Sequence, residues 1–332
     1  MSKIATAIRP FEAGDYKDVT AINNALWPEF PTTAEEIAHR DQKRDEDMKD
    51  PDKPIQWKRF VWAEDGRVLA SAAYEQSPWI YHPRKFEFWI MVHPEAFRRG
   101  IGSALYEHLM AELEPFDPVK LSTWTCPEKT PQTPAFLEAR GWKPGMKVWD
   151  SKLDLETWDP EPFAAALTRA EEQGIRLVSL AELRDSDPDW QRKTYEMERE
   201  IWKDIPLPDK QTDPGFEWYK RHLFESPNLY PEAWFMTLDG ERPVGLSCLW
   251  KQKSGNHLAN GLTGTLREYR KRGLAMAMKV KVLSFAKAQG HPWVMTDNEE
   301  NNVGMIGINK RLGFVDYPSW MGYELHLAEE ES

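Results

Sequence analysis

The stretch REYRKRGLAMAMK, residues 267–279, places four basic residues before Gly273 and an apolar run directly after it. Glycine lets a backbone turn tightly and approach a ligand closely. If the apolar run forms a helix, the first amides of that helix lack partners within it, and the helix dipole adds positive potential. The stretch therefore predicts a phosphate-binding turn between a strand and a helix, although a solvated basic turn or a nucleic-acid patch would carry the same charges.

The composition of the whole chain argues against nucleic-acid binding. Its 332 residues carry a formal net charge of -11, whereas affinity for nucleic acids is built from a cationic surface. We therefore expect no nucleic-acid partner, while a local basic pocket stays compatible with the charge. The hydrophobic content of 41% is that of a globular protein. The length exceeds what one compact core usually holds, which predicts two domains.

Three further features bear on localisation and metal binding. No apolar run approaches the ~20 residues of a membrane span, and the first ten residues, MSKIATAIRP, lack the apolar region of a secretory signal. The two cysteines, Cys126 and Cys248, predict no disulfide framework. Acids and bases alternate at residues 35–53, which favours a solvated helix over a metal site. We expect a cytoplasmic protein with no membrane partner and no metal.

The sequence contains an internal repeat. Gly100, in HPEAFRRGIG, lies 173 residues before Gly273, in LREYRKRGLA. Two further matches hold this offset within one residue: Arg-Gly-Trp at 140–142 with Leu-Gly-Phe at 312–314, and Asp-Gly at 65–66 with Asp-Gly at 239–240. Since three separated features share one offset, the sequence predicts a tandem duplication of one domain.

Each copy predicts the same order of strands and helices. A first strand and a helical region precede a hairpin with Asp-Gly at its turn. A strand then enters the glycine motif, an amphipathic helix follows, and a later strand and helix lead to the last strand. The paired ranges are 60–74 and 234–250 for the hairpin, 102–113 and 275–289 for the helix, 120–125 and 293–296 for the later strand, and 147–155 and 322–327 for the last strand. This order predicts an α+β fold, with a mixed, mostly antiparallel twisted sheet flanked by helices in each copy.

The join between the copies is readable in the sequence. Asp159 followed by Pro160 is a typical helix start, with an N-cap and a proline in the first turn. We therefore place the boundary near residue 158. The predicted domains are residues 1–158 and residues 159–332.

Motifs in the second copy carry a family resemblance. Arg270, Gly273 and Ala275 fit the pattern Arg/Gln-x-x-Gly-x-Gly/Ala between a predicted strand and a predicted helix. A polar series that ends in Leu-Gly-Phe follows downstream. It consists of Thr296, Asn298, Asn302, Met305, Asn309 and residues 312–314. The combination resembles the GNAT superfamily of N-acetyltransferases, and the second copy is similar to the C-terminal domain of mycothiol synthase-like tandem acetyltransferases.

The resemblance implies acetyl-CoA as cosubstrate. The loop amides would bind the coenzyme A pyrophosphate, and the preceding strand, splayed from its neighbour, would bond the pantetheine arm together with Asn302. The residues implied for coenzyme A binding in the second copy are Leu262, Thr263, Gly264, Thr265, Leu266, Arg270, Lys271, Arg272, Gly273, Leu274, Ala275, Met276, Asn298 and Asn302.

The implied reaction is acetyl transfer to the primary amine of a small molecule, by direct attack on the thioester in a ternary complex. The alternative is a non-catalytic acyl-CoA sensor or scaffold with a degenerate acetyltransferase fold. Trp27, Trp57 and Trp202 lie where the family builds its acceptor site, or else they pack the core. The expected partners are acetyl-CoA and a small amine, and the expected assembly is a monomer or homodimer.

The residues that move protons are less evident. Many members of the family carry a tyrosine as the acid for the thiolate, at the position of Asn309 here and of Leu137 in the first copy. Asn309 would then only donate a hydrogen bond. Candidates for the base are Asp204, Glu217 and His257, with His257 expected in an exposed turn, and Glu268, which we expect to be solvated surface.

The first copy departs further from the family pattern. Phe97 stands in place of the leading Arg/Gln, and the asparagine series is absent. The loop works through its amides, so it would still bind pyrophosphate. Its residues are Arg98, Arg99, Gly100, Ile101 and Gly102. We expect the first copy to be catalytically weak or silent.

Overall fold

The computed structural model of the chain describes residues 7–50, 53–252 and 254–328. The strands, in chain order, are β1 (Ile8–Pro10), β2 (Trp57–Glu64), β3 (Arg67–Glu75), β4 (Lys85–Val92), β5 (Lys120–Thr125), β6 (Lys143–Asp154), β7 (Ile175–Ser179), β8 (Trp234–Asp239), β9 (Arg242–Lys251), β10 (Leu258–Thr265), β11 (Trp293–Glu299) and β12 (Val315–His326). The α-helices are α1 (Tyr16–Leu26), α2 (Ala34–Asp47), α3 (Ile101–Leu113), α4 (Gln132–Glu138), α5 (Ala165–Glu172), α6 (Leu180–Ser186), α7 (Trp190–Trp202), α8 (Phe216–Tyr219), α9 (Leu274–Ala288) and α10 (Val303–Leu312). None of the helices in these three ranges is both long and apolar enough to cross a membrane.

The chain divides into two compact units. The first unit takes Met1–Met146, Pro208–Thr212 and Trp320–Ser332, and the second unit takes Lys147–Leu207 and Asp213–Ser319. The short segment Pro208–Thr212 belongs to the first unit through Asp209, which pairs with Lys85 at 2.7 Å and with Lys120 at 2.6 Å. The compact units therefore differ from the division of the sequence repeat at residue 158.

The sheet of the first unit has the strand order β1-β2-β3-β4-β5-β12. Its neighbours are antiparallel except for β4 and β5, which run parallel. The β2-β3 hairpin turns at Asp65 and Gly66, with φ of 49° and 78°. Two successive left-handed residues are what a tight two-residue hairpin turn needs, so the Asp-Gly pair sets the register of this hairpin.

The sheet of the second unit repeats this plan with the order β6-β11-β10-β9-β8-β7. Here β10 and β11 are the parallel pair, and the other neighbours are antiparallel. Each unit is thus a mixed, mostly antiparallel sheet flanked by helices. The predicted α+β fold and its duplication are confirmed.

The last strands predicted at residues 147–155 and 322–327 correspond to β6 and β12, which begin earlier than predicted. Residues 148–154 of β6 pair with β11 in the second unit, and residues 321–326 of β12 pair with β5 in the first unit. The copies have therefore exchanged their last strands. Because the duplication gives β5 and β11 similar free edges, strand patterning cannot tell which of them a closing strand will join.

The helix after each glycine motif is confirmed within one residue of its predicted start. In α3, Ile101, Leu105, Leu109 and Leu113 recur at a spacing of four and are buried, which is the apolar stripe of a helix packed on a sheet. In α9 the buried residues surround most of the helix, and Lys279 is buried among them with 1% of its surface exposed. A lysine in such a place needs a partner.

Candidate active site

The basic glycine stretch forms a turn between β10 and α9. Lys271 and Gly273 both have left-handed backbones, with φ of 60° and 80°, and Gly273 is the residue before the first helical position. The amides of residues 271–276 have no acceptor in the described part of the chain. Free amides at a helix start, beside left-handed residues, form a concave anion site, so this turn fits a pyrophosphate.

The arginines of the turn are engaged with the protein itself. Arg270 pairs with Asp204, and Arg272 donates from Nε to Gln173 Oε1 at 2.8 Å. Arg267 also donates to Asp204, from Nε to Oδ2 at 2.9 Å. These contacts fix the turn against its surroundings. The capacity to bind an anion therefore lies mainly in the amides.

Strand β10 diverges from its parallel neighbour before it reaches the turn. Described pairing with β11 covers only Leu258↔Val294 and Ala259↔Met295. On its other side β10 stays paired with β9, with an irregularity between Asn260 and Thr263. The β11-facing edge of residues 262–265 thus offers backbone groups to an extended ligand, which is the geometry that a pantetheine arm requires.

Two glycines allow close packing beside this edge. A Cβ added to Gly264 would lie 2.4 Å from Ile201 Cγ2 of α7, and one added to Gly245 would lie 2.8 Å from the Gly264 carbonyl oxygen. Carbon atoms in proteins do not approach this closely. Glycine at 264 is therefore required for α7 to pack against the diverging strand.

The structure argues against two of the predicted bases. Asp204 accepts hydrogen bonds from Arg267 and Arg270, and these lower its pKa to about 2. His257 is buried rather than exposed, with 6% of its surface accessible, and it stacks on Trp293 at 3.8 Å. Burial, with the charge of Lys152, lowers the pKa of His257 to about 4. A carboxylate held by two guanidiniums and an imidazole of such low pKa are both weak proton acceptors at neutral pH.

The other two candidate bases lie on the surface. Glu217 is exposed on α8. Glu268 is exposed and pairs with Arg242 at 2.9 Å, which agrees with the expectation of a solvated surface residue. Because both carboxylates are exposed to solvent, neither lies in an enclosed site.

The asparagine series connects β11 to α10. Asn309 Nδ2 donates to Asn298 Oδ1 at 2.6 Å, and Asn302 Oδ1 caps α10 by accepting from the Met305 amide at 3.3 Å. Asn309 is 2% exposed, and its Oδ1 is buried without a hydrogen-bond partner among the described residues. The asparagines thus have structural roles, and Asn309 has no proton to give to a thiolate at neutral pH.

A buried lysine that sequence reasoning missed lies behind the diverging strand. Lys279 Nζ donates to Asn260 Oδ1 at 2.5 Å, and Asn260 Nδ2 donates to the Cys248 carbonyl at 2.8 Å. Burial lowers the pKa of Lys279 to about 7. A polar residue inside the apolar run LAMAMKVKVL was the available signal in the sequence.

A buried carboxyl was also missed. Glu198, on α7, is 2% exposed, and burial raises its pKa to about 7 against the opposing influence of Tyr219 and Trp202. It lies one turn before Ile201, the residue that contacts Gly264 of β10. It is therefore an acid whose proton exchanges near neutral pH, beside the strand that would hold the thioester. Only packing of α7 on the sheet places it there, so no pattern in the sequence pointed to it.

The first unit repeats the loop and the divergence. Arg98 and Gly100 are left-handed with φ of 61° and 82°, matching Lys271 and Gly273 at the same offset of 173 residues. The amides of residues 98–103 have no acceptor within the described ranges. A cavity of about 860 Å³ opens beside them.

Comparison with known proteins agrees with this geometry. The sequence profile of the acetyltransferase (GNAT) family matches residues 19–142 and 177–314. A mycothiol acetyltransferase from Thermobifida fusca (strain YX) is 24% identical over 278 residues, which cover 77% of this chain and 78% of that protein.

Two solved structures share the fold over almost the whole chain. A GCN5-related N-acetyltransferase from Sphaerobacter thermophilus has a TM-score of 0.68 at 17% identity, covering 98% of this chain and 96% of that one. A tandem GNAT protein from the clavulanic acid biosynthesis pathway has a TM-score of 0.69 at 19% identity, covering 98% and 99%. With one profile match in each copy, the chain belongs to the acetyltransferase (GNAT) family as a tandem N-acetyltransferase.

Proposed function

We propose that the second unit transfers the acetyl group of acetyl-CoA to the primary amine of a small molecule by direct attack in a ternary complex. The observation that carries the proposal is the continuity of the diverging strand β10 with the free amides at the start of α9. An extended thioester on the strand would place its phosphates at the turn. The name of the curated relative, a mycothiol acetyltransferase, favours a small-molecule acceptor.

The backbone of the second unit does most of the binding. The amides of residues 271–276 hold the pyrophosphate, and residues 262–265 pair with the pantetheine arm. Next to the irregularity between Asn260 and Thr263, amides of β10 point at the thioester carbonyl. Donors fixed in this way stabilise the charge that develops on the carbonyl oxygen, without reorganisation at the moment of reaction.

We propose Glu198 as the proton acceptor in this unit. The amine nitrogen attacks the carbonyl carbon, the C–S bond breaks with its electron pair on sulfur, and the ammonium proton passes to the Glu198 carboxylate. A base whose pKa lies near the working pH combines availability with driving force, and burial gives Glu198 such a pKa. The thiolate takes its proton from water, because Asn309 cannot supply one.

Thiol release from acetyl-CoA with a panel of primary amines tests the proposal, alongside the thermal shift that acetyl-CoA produces. Turnover should fall strongly in Gly273→Ala. Gly290→Ala is the matched control, because Gly290 also has a left-handed backbone, with φ of 77°, but lies beyond the far end of α9. The proposal fails if no amine is acetylated and acetyl-CoA does not change the melting temperature. Acetyl-CoA binding without turnover would identify a sensor instead.

A further inference from the structure

The cavity of the first unit has the size and the lining of a small-molecule site. Its volume of about 860 Å³ falls within the range of about 300–1,000 Å³ that is usual for ligand pockets. Its wall includes the loop residues 98 and 100–103, the free portion of β4, and the indoles of Trp27, Trp89 and Trp320. Trp27 and Trp320 face each other with ring centroids 4.7 Å apart. The cavity is therefore continuous with the pyrophosphate-binding turn of this unit.

Glu87 marks the point at which β4 and β5 separate. The described parallel pairing ends at Glu87↔Ser122, and residues 88–92 continue toward the turn paired only with β3. Glu87 is partly buried and lines the cavity. The Glu87 carboxyl therefore lies within reach of a thioester carbonyl that would bind along the free edge of β4.

The carboxylates near Glu87 are paired with arginines, whereas Glu87 has no such partner. Its cross-strand neighbour Glu75 accepts from Arg44 Nη2 at 3.1 Å. Asp41 accepts from Arg59 Nη2 at 2.9 Å and pairs with Arg44 at 3.3 Å. Glu87 makes no hydrogen bond or ion pair with any described residue. A carboxyl left unpaired in a cavity wall is free to exchange a proton with a ligand.

The electrostatic environment tunes this carboxyl toward neutral pH. Burial raises the pKa of Glu87 to about 7, the charge of Glu75 adds to the rise, and Arg44 opposes it. The other charged side chains of the cavity wall are Arg40, Arg59 and Arg98. The wall thus combines one unpaired acid with several cations.

One of those cations is also unpaired. Arg40 donates weakly from Nη2 to Thr32 Oγ1 at 3.4 Å and has no ion pair with a described residue. A ligand with an amine for Glu87, an anionic group for Arg40 and an apolar body for the indoles would satisfy all three features. An amino acid with a large apolar or aromatic side chain has this chemistry.

We propose that the first unit is a second acetyl-transfer site, in which Glu87 accepts the proton of an amino acid's α-ammonium group while Arg40 holds its carboxylate. The amine then attacks the acetyl-CoA carbonyl carbon, the C–N bond forms, the attacking nitrogen gives its remaining surplus proton to water, and the C–S electron pair leaves on the thiolate. The Glu87 proton returns to water, and water protonates the thiolate. The proposal goes beyond the proposed function, because it uses acetyl-CoA at a different site.

The missing asparagine series does not count against this site. In the second unit, Asn302 caps α10 and Asn298 bonds Asn309. In the first unit, Thr130 takes over a similar structural role through Thr125 Oγ1 at 3.0 Å and the Cys126 carbonyl at 3.1 Å. The first copy was expected to be catalytically weak or silent because it lacks these asparagines. Since their observed contacts in the second unit are structural, their absence does not exclude catalysis in the first.

The test uses the full chain with acetyl-CoA and either phenylalanine or phenylalanine amide, and it measures the N-acetyl product by mass spectrometry. We expect phenylalanine to be acetylated, with kcat/KM rising through a pKa near 7. Glu87→Gln should lower kcat/KM on the order of 100-fold and remove that pH dependence. Glu95→Gln is the matched control, because Glu95 is 72% exposed in the same unit.

A second variant distinguishes a loss of substrate binding from misfolding. Arg40→Gln should raise KM for phenylalanine about 10-fold or more and leave KM for the amide unchanged. Product formation that is insensitive to Glu87→Gln, or no product from phenylalanine at all, overturns the inference. Acetylation of other amines that is lost in Glu198→Gln, together with no product from phenylalanine, would leave the proposed function standing and refute this inference alone.

Discussion

Replacing Glu198 with glutamine is expected to stabilise the protein while inactivating the second unit. Burial raises the folded-state pKa of this carboxyl from its usual 4.5 to about 7. The folded state therefore retains a proton that the unfolded state has released. The cost of ionising Glu198 in the fold is absent below pH 4.5, grows as the pH rises, and is complete above pH 7.

The size of this effect follows from the shift. The folded-state and unfolded-state pKa values of Glu198 differ by about 2.5, which at 1.36 kcal/mol for each pH unit lowers the free energy of unfolding by about 3 kcal/mol above pH 7. Glutamine is neutral and nearly isosteric, so Glu198→Gln recovers most of that free energy at pH 8 and almost none at pH 4.5. For a unit of this size the melting temperature should rise by roughly 6–12 °C at pH 8.

Melting temperature and thiol release, each measured on the wild type and on Glu198→Gln, test this prediction. Melting temperatures of wild type and Glu198→Gln should coincide near pH 4.5 and separate as the pH rises. Thiol release with the best amine substrate should fall on the order of 100-fold or more in the variant. A gain in stability with a loss of activity is the trade-off expected of a strained catalytic group. A variant that melts at the wild-type temperature at pH 8, or that retains full turnover, would refute the reasoning.

Three further outcomes are expected. Gly273→Ala should weaken acetyl-CoA binding more than Gly290→Ala, as isothermal titration calorimetry would show, because only the first alters the turn at which the pyrophosphate is proposed to bind. Gly264→Ala should lower stability by about 1–3 kcal/mol through overpacking against Ile201, and urea denaturation should show a smaller cost for Gly264→Ala when it is made in an Ile201→Ala background. Lys279→Met should raise the melting temperature most below pH 7, because the depressed pKa of the lysine makes its charge costly there, and the advantage should vanish by about pH 10.5.

The parts of the site that are continuous in the chain were predictable. The turn at Gly273 and the helix after it follow from glycine chemistry and from apolar spacing, both of which act over a few residues. Gly100 and the apolar residues after it predict a turn and a helix in the same way, and both turns have left-handed residues at the same positions. Each turn therefore follows from its own short segment.

The carboxyls with neutral pKa values were not predictable. Glu198 lies in a helix whose sequence shows an ordinary amphipathic pattern, and Glu87 lies in a strand beside other charged residues. Their pKa values depend on burial and on which cations contact their neighbours. Asp204, by contrast, looked like a base in the sequence and is held as a carboxylate by Arg267 and Arg270.

The sequence by itself determined the duplication, the order of elements in each copy and the two glycine turns, because these depend on spacing and on backbone conformation within short segments. Only the tertiary structure decided that β6 pairs with β11 and that β12 pairs with β5. It also decided which acids are buried without a counter-ion. Strand exchange and pKa shifts both arise between residues far apart in the chain, and duplicated segments offer equivalent partners that local pattern cannot tell apart.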